Sequence, residues 1–433
     1  MKTAIIWFKS DLRIHDNEAL YRAAKENDLI IPVYCFDEQM FVETKFGFNK
    51  TGIRRLKLIT ESLIELNTRL NLLGTNLLVL KGKTEIELLK LVKQYGVKKV
   101  YAKKEVSFEE INLNQKVEEA LWKNQCEFEV FSTSTLYHAE DLPFSVKDIP
   151  DIFTKFKTAV EKECEVRPMF PSPEKLISPP LPSFIIPNFI NELIKDINHH
   201  VSSAFPYKGG EHEALRRVNY YLFESKLISN YKNTRNQLIG RDYSSKFSPW
   251  LALGCLSPRF IYHEIIRYEQ EFKENESTYW LKFELIWRDF FRFMMKKHRN
   301  AYFKDFGIKE PSNKIRNFNL ETIQKWINGK TGVPLIDANM LELKHTGFMS
   351  NRGRQIVASF LCNDLKQDWR YGAAYFEEQL IDYDVCSNWG NWAYIAGVGN
   401  DPRKDRYFDV EKQTKLYDKD SFYRNLWLAK VSL

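Results

Sequence analysis

The stretch Gly52-Ile-Arg-Arg-Leu-Lys-Leu-Ile-Thr-Glu-Ser-Leu-Ile-Glu-Leu-Asn-Thr-Arg-Leu-Asn-Leu-Leu73 puts Ile53, Leu56, Ile59, Leu63, Leu66, Leu70 and Leu73 at three- and four-residue spacing. That spacing is one apolar face of an α-helix. On either side the period changes. Short apolar runs at 4–8, 29–36, 76–81, 99–102 and 127–132 predict strands, and 17–27, 84–95 and 108–123 predict further helices. Five strands with four intervening helices imply an α/β N-terminal parallel-sheet domain covered on both faces, over residues 1–133.

No G-x-G-x-x-G follows the first strand. Gly82-Lys83-Thr84 and Gly329-Lys330-Thr331 each lack the glycine that a P-loop needs five residues before its GKT. Seven prolines between Pro168 and Pro187 break regular structure, so 134–210 is expected to be an inter-domain connector laid over the surface. From Glu211 onward the spacing is helical almost throughout, which predicts an all-helical domain over 211–433. Its stretch 277–298 carries Tyr279, Trp280, Phe283, Trp287, Phe290, Phe291 and Phe293. Such a stripe is more often core than ligand box.

The chain has 433 residues, 44% hydrophobic and 28% charged, which excludes disorder as the dominant state. No apolar run is long enough to span a membrane, and the N-terminal apolar stretch is too short for a signal peptide. The six cysteines contain no C-x-x-C pair, which points to reduced thiols and a cytoplasmic location. No metal-ligand pattern of the H-E-x-x-H kind appears, so no metal is expected. Residues 1–210 balance 29 basic against 29 acidic side chains; the remainder holds 35 against 28, the whole of the net +7. A basic excess confined to one half suits a polyanionic partner or an ordinary solvated surface. Eight of the ten tryptophans lie beyond residue 249, as though something flat stacks there.

Three segments could carry chemistry. In Asp382-Tyr-Asp-Val-Cys-Ser-Asn-Trp-Gly-Asn-Trp-Ala-Tyr394, the carboxylates could accept from hydroxyls or ring N–H groups, or merely cap a helix. In Tyr243-Ser-Ser-Lys-Phe-Ser-Pro249, hydroxyls and backbone N–H groups could seat a phosphate, or form a plain serine loop. In Gly347-Phe-Met-Ser-Asn-Arg-Gly-Arg-Gln355, two arginines could pair a phosphate or carboxylate, or form an exposed basic turn.

Together with Glu284-Leu-Ile-Trp-Arg-Asp-Phe-Phe291 and Lys246-Phe-Ser-Pro-Trp-Leu-Ala-Leu-Gly-Cys-Leu-Ser-Pro-Arg259, these segments make the chain resemble the photolyase/cryptochrome flavoproteins, in their cryptochrome-DASH branch. The resemblance runs from Trp7-Phe-Lys-Ser-Asp-Leu-Arg13 to Arg406-Tyr-Phe408. It implies a Rossmann-like N-terminal domain that holds an antenna and a helical domain that holds folded-back FAD and meets DNA. By motif match, Tyr231, Ser244, Ser245, Lys246, Phe247 and Ser248 would seat the FAD phosphates and ribityl chain. Arg288, Asn351 and Arg354 would lie near the flavin and its phosphates, Asp382 and Asp384 would meet ribose and ring, and Asn388 would face N5.

The activity so implied is blue-light repair of cyclobutane pyrimidine dimers by an electron from excited, reduced FAD. Glu284 would hydrogen-bond the dimer and Trp287 would stack on it. Arg235 and Arg352 would supply phosphate contacts. Tyr394 stands where duplex-repairing relatives carry a second tryptophan. Stacking on an aromatic ring returns roughly 1–3 kcal/mol per base against the cost of extruding a lesion. Phenol for indole reduces that return, so lesions in single-stranded or looped DNA are expected to be preferred. Trp392 and Trp369 match the first two members of an electron chain whose distal position falls on Arg316. Glu105 matches a contact to 5,10-methenyltetrahydrofolate as antenna, and Lys9 replaces an arginine usual nearby. A monomer is expected. The alternative is a blue-light photoreceptor signalling through a partner; the absence of a long polar tail after Trp427 favours the enzyme.

Overall fold

Thr3-Ala-Ile-Ile-Trp-Phe8 forms β1, every residue of which is buried, because helices cover both faces of the sheet. The computed structural model describes residues 1–311, 318–402 and 406–429. Four more strands follow: β2 (Leu29–Asp37), β3 (Leu78–Gly82), β4 (Lys99–Lys103) and β5 (Glu127–Phe131). All pairings are parallel, and the sheet order is β3-β2-β1-β4-β5. The connecting helices are α1 (Glu18–Glu26), α2 (Ile53–Leu72), α3 (Thr84–Tyr95) and α4 (Phe108–Trp122).

The period of two along β1 sorts its side chains between two cores. Ala4, Ile6 and Phe8 pack in the cluster containing Leu20 of α1 and Leu63 of α2. Ile5 and Trp7 pack with Leu88 of α3 and Leu121 of α4. Each expected strand and helix of this half is present, with ends moved by one or two residues.

The second half is helical among the described residues, its longest helix being Glu276–His298. Asn275 caps that helix with both bonds of a capping box, and Lys296, Lys297 and His298 occupy its last turn. Two expected helices end in a wider turn: Glu211–Asn219 runs into a π-turn at Tyr220–Glu224, and Asn351–Ser359 into one at Phe360–Asp364.

The segment 134–210 departs from a simple surface wrap. It contains the helices Phe153–Glu163 and Asn188–Ile194, with Phe156, Val160 and Ile190 fully buried. Phe153 stacks on Trp287 at 3.6 Å between ring centroids, so this stretch supplies core to the helical half. Proline counting finds the irregular part, 164–187, and misses the apolar face of 153–163.

Charged groups join the two halves. Asp16 holds Arg259 through Nε and Nη2, and Asp289 accepts from the N–H groups of Leu136 and Tyr137. Gly254, at φ +68°, lies against the backbone of Ser10, where any Cβ would collide. No described helix is long and apolar enough to cross a membrane, and no disulfide links cysteines among the described residues.

Candidate cofactor and nucleic-acid site

The serine-rich loop is shaped from behind. Arg217, buried on helix Glu211–Asn219, donates to the carbonyls of Arg241, Ser244 and Ser245 and pairs with Asp242 at 2.8 Å. Those carbonyls are thereby turned towards Arg217. Lys246 sits at φ +63°, and Phe247 follows in right-handed helical geometry (φ −76°, ψ −15°). Alternation of this kind makes successive N–H groups converge into an anion-binding nest. Among the described residues, the N–H groups of Ser244, Ser245 and Lys246 have no acceptor. The Lys246 Nζ is buried with no hydrogen-bond partner, and burial pushes its pKa well below the usual ammonium value, with Glu342 opposing.

In front of the loop lie three cavities, of about 450, 190 and 100 Å³, all lined in part by Asn351. They form one bent cleft. Tyr231, Arg235, Ser245, Phe247, Ser248 and Glu284 line both larger parts; Ser244 and Lys246 belong to the middle one. Trp287, Arg288 and Tyr394 line the wide mouth. Asp384, Asn388 and Trp392 line the narrow end, and Arg354 and Asp382 line both it and the middle. Of the described residues given a site role from sequence, Trp369, Arg352 and Glu105 lie outside it.

At the narrow end Arg354 Nη2 bonds both oxygens of Asp382, at 3.0 and 2.8 Å. Asp384 is a helix cap after all, accepting from Ser387 N, and it also lines the cleft. Burial disfavours its charge, but Arg288 and Arg292 more than offset this and lower its pKa. Asn388 donates from Nδ2 to the carbonyl of Ala373, which fixes its amide and leaves Oδ1 as an acceptor. Trp392 fits because Gly372 has no Cβ; one built there would lie 2.2 Å from the indole.

At the mouth, Arg235 pairs with Glu284 at 2.8 Å. Burial raises the pKa of Glu284, with Arg235 opposing. Phe153 closes one face of Trp287, whose ring meets Tyr394 edge-on at 5.9 Å. Arg406 lies over the Tyr394 ring and donates to its hydroxyl at 2.8 Å.

The remaining three residues are engaged elsewhere. Arg352 donates to Asn236 Oδ1 and lies over the rings of Phe408 and Tyr417. Trp369 is fully buried, edge-on to Trp389 at 5.8 Å, while Trp392 meets Trp326 and Phe376. Arg316 lies outside the described residues. Glu105 is buried at the end of β4, where the strand order turns about β1, the usual ligand crevice of such sheets. Here Lys9, Lys103 and Arg292 surround it at 3.5, 3.3 and 3.1 Å.

Residues 280–432 match the FAD-binding domain of DNA photolyase, and residues 4–175 match the DNA photolyase family. The chain belongs to the photolyase/cryptochrome family, in its cryptochrome-DASH branch. It is 46% identical to a cryptochrome DASH of Synechocystis sp., over 99% of this chain and 88% of that protein. It is equally identical to one of Xenopus laevis, over 99% of this chain and 83% of that one. The crystal structure of a Synechocystis cryptochrome superposes with a TM-score of 0.95, covering 100% of this chain and 89% of that one. The helical half is thus this family's FAD-binding domain, and the protein is a blue-light flavoprotein of photolyase type. The open N–H groups at the loop, the Arg354–Asp382 pair and the bent cleft fit a diphosphate with an aromatic ring system at either end.

Sequence reasoning missed Arg217 and Arg406. Arg217 acts on a loop 24 to 28 residues away, and no local pattern marks it. Arg406 stands in the Arg406-Tyr-Phe408 segment, but nothing in that run points to Tyr394.

Proposed function

We propose that the protein repairs cyclobutane pyrimidine dimers in blue light, chiefly in single-stranded or looped DNA. The observation that carries this reading is the cleft mouth, where the Arg235–Glu284 pair, Trp287 and Tyr394 line one cavity that continues to the Asp382–Asn388 end.

Bound FAD, reduced and excited, would supply the electron that splits the dimer. The chain's own residues hold and orient. The loop N–H groups and Ser248 take the phosphates, and the Arg354–Asp382 pair fixes the middle of the cofactor. Asn388, with Nδ2 committed to Ala373, presents Oδ1 and so accepts a proton-bearing ring nitrogen. Glu284, of raised pKa, offers a hydrogen bond to a base carbonyl when protonated and accepts from a ring N–H when not. Trp287, backed by Phe153, keeps its ring fixed. Arg235 and Arg406 bring positive charge to the mouth, where a phosphate backbone would pass.

Tyr394 supports the single-strand preference. Its ring stands edge-on to Trp287 and its hydroxyl is tied to Arg406, which leaves less flat surface for an extruded base than an indole would. Arg352, facing Asn236, Phe408 and Tyr417, is proposed as a secondary phosphate contact. Trp392 and Trp369 are proposed to carry electrons to the flavin. The antenna proposed is 5,10-methenyltetrahydrofolate near Glu105, which would meet it with lone pairs that its three cations leave open. The domain limits proposed are 1–133, 134–210 and 211–433, with 153–163 packing on the helical half, and the state proposed is a monomer. Light-dependent splitting of a thymine dimer by reduced, FAD-loaded protein tests the reading; no splitting in any DNA form would turn it to the photoreceptor.

A further inference from the structure

A fourth cavity shares no lining residue with the cleft. It lies between α2, the segment 197–207 and the C-terminal end of helix Pro334–Thr346. We propose that it binds a phosphate group, held by the Arg54 guanidinium with the imidazoles of His200 and His345.

Arg54 is half-buried and has no hydrogen bond or ion pair among the described residues; its Nε is buried without an acceptor. A guanidinium has five donors in a planar fork, and leaving the buried Nε donor unpaired is costly. Its titratable neighbours in the cavity are mostly bases. The His345 pKa is lowered by burial and then by His200, Arg54 and Lys344. The one carboxylate in the lining, Glu61, is already engaged: Oε2 accepts from Gly209 N at 2.8 Å, and Lys57 lies 3.9 Å from Oε1. Lys57 itself donates to the carbonyl of Ile197. The cavity therefore collects positive charge and N–H donors with no spare anion of its own.

The His200 imidazole is set up to donate. His200 Nδ1 accepts from Ser202 N at 3.2 Å, so its neutral ring carries the proton on Nε2. The ring is held between Trp427 and His345, at 5.2 and 5.3 Å. Among the described residues these histidines belong to no metal-binding group. Size bears on the ligand: the cavity is about 50 Å³. A single water needs about 10–15 Å³, so the cavity has room for one tetrahedral oxyanion. A free phosphate ion and the terminal phosphate of a nucleotide share this chemistry.

The test is calorimetric titration of FAD-loaded protein, whose cofactor phosphates already fill the serine-loop seat. The titrants are inorganic phosphate and adenosine monophosphate, against wild type, Arg54→Gln and His345→Asn. The expected result is saturable phosphate binding, weakened at least tenfold in both variants. Unliganded Arg54→Gln should melt at or above the wild-type temperature, because it removes an unpaired cation. Binding of the nucleotide with the same dependence assigns a terminal phosphate ester; binding of inorganic phosphate alone assigns the free ion. No saturable binding, or binding unchanged in both variants, overturns the proposal. Should Arg54→Gln not fold, His345→Asn decides.

Discussion

Arg235 Nη1 lies 2.8 Å from Glu284 Oε1, and both side chains line the wide mouth of the cleft. On the proposed function the pair places a carboxylate of raised pKa, with Arg235 as its counter-charge, where a lesion's polar edge would enter. Glu284→Gln keeps the shape and loses the ionisable group. Loss of a hydrogen bond to a charged or charge-bearing group is worth about 1.5–3 kcal/mol, so dimer repair should fall on the order of 10- to 100-fold. FAD content should be unchanged. Single-turnover repair, measured beside flavin absorbance per protein, checks both halves.

Asp382 accepts twice from Arg354 Nη2 where the narrow end of the cleft meets its middle. Asp382→Asn leaves Arg354 without its charge partner beside a site that must hold negatively charged phosphates in one place. FAD retention through purification should drop at least tenfold, with the apoprotein still folded by circular dichroism. Full retention would remove Asp382 from the binding set.

Glu105 couples the halves through charge. Burial works against its ionisation, but Lys103, then Lys9 and Arg292, outweigh burial and bring its pKa from 4.5 to about 2. The folded pKa is depressed, so its contribution is present above pH 4.5 and is lost as pH falls towards 2. That shift corresponds to roughly 3 kcal/mol at 1.36 kcal/mol per unit. Glu105→Gln should lower stability at pH 7, and flatten the decline of stability between pH 4.5 and 2. Denaturant midpoints across that range are the measurement.

Trp392 lines the narrow end of the cleft with its indole against Gly372. Trp392→Phe should slow photoreduction of bound FAD strongly, at unchanged FAD content. Photoreduction at the wild-type rate would show that electrons arrive by another route.

The sheet half was legible almost residue by residue, because a period of two against one of 3.6 decides each segment without reference to the rest. Helix capping in the Asp382–Tyr394 stretch was likewise a local signal, offered as one of two readings and found at Asp384. What escaped was non-local. Phe153 reads as one aromatic in a proline-bordered stretch, and only the fold stacks it on Trp287. Arg217 reads as a surface basic residue, and only the fold buries it behind the Ser244–Ser245 carbonyls. The cleft residues were found through motifs rather than patterns, since an Asp that caps a helix and an Asp that also lines a cavity look alike in sequence. Glu105 illustrates the limit: the motif named it, while the three cations around it come from the residue after β1, from β4 and from the helix Glu276–His298.

The most direct test of the central claim is blue-light repair of one thymine dimer in a single strand, run beside the same lesion in duplex, with wild type and Tyr394→Trp. Wild-type protein should repair the single strand well and the duplex poorly, and Tyr394→Trp should improve the duplex. Equal repair of both by wild type, or no gain from the tryptophan, would contradict the role given to Tyr394. No repair of either by reduced, FAD-loaded protein would contradict the lyase itself.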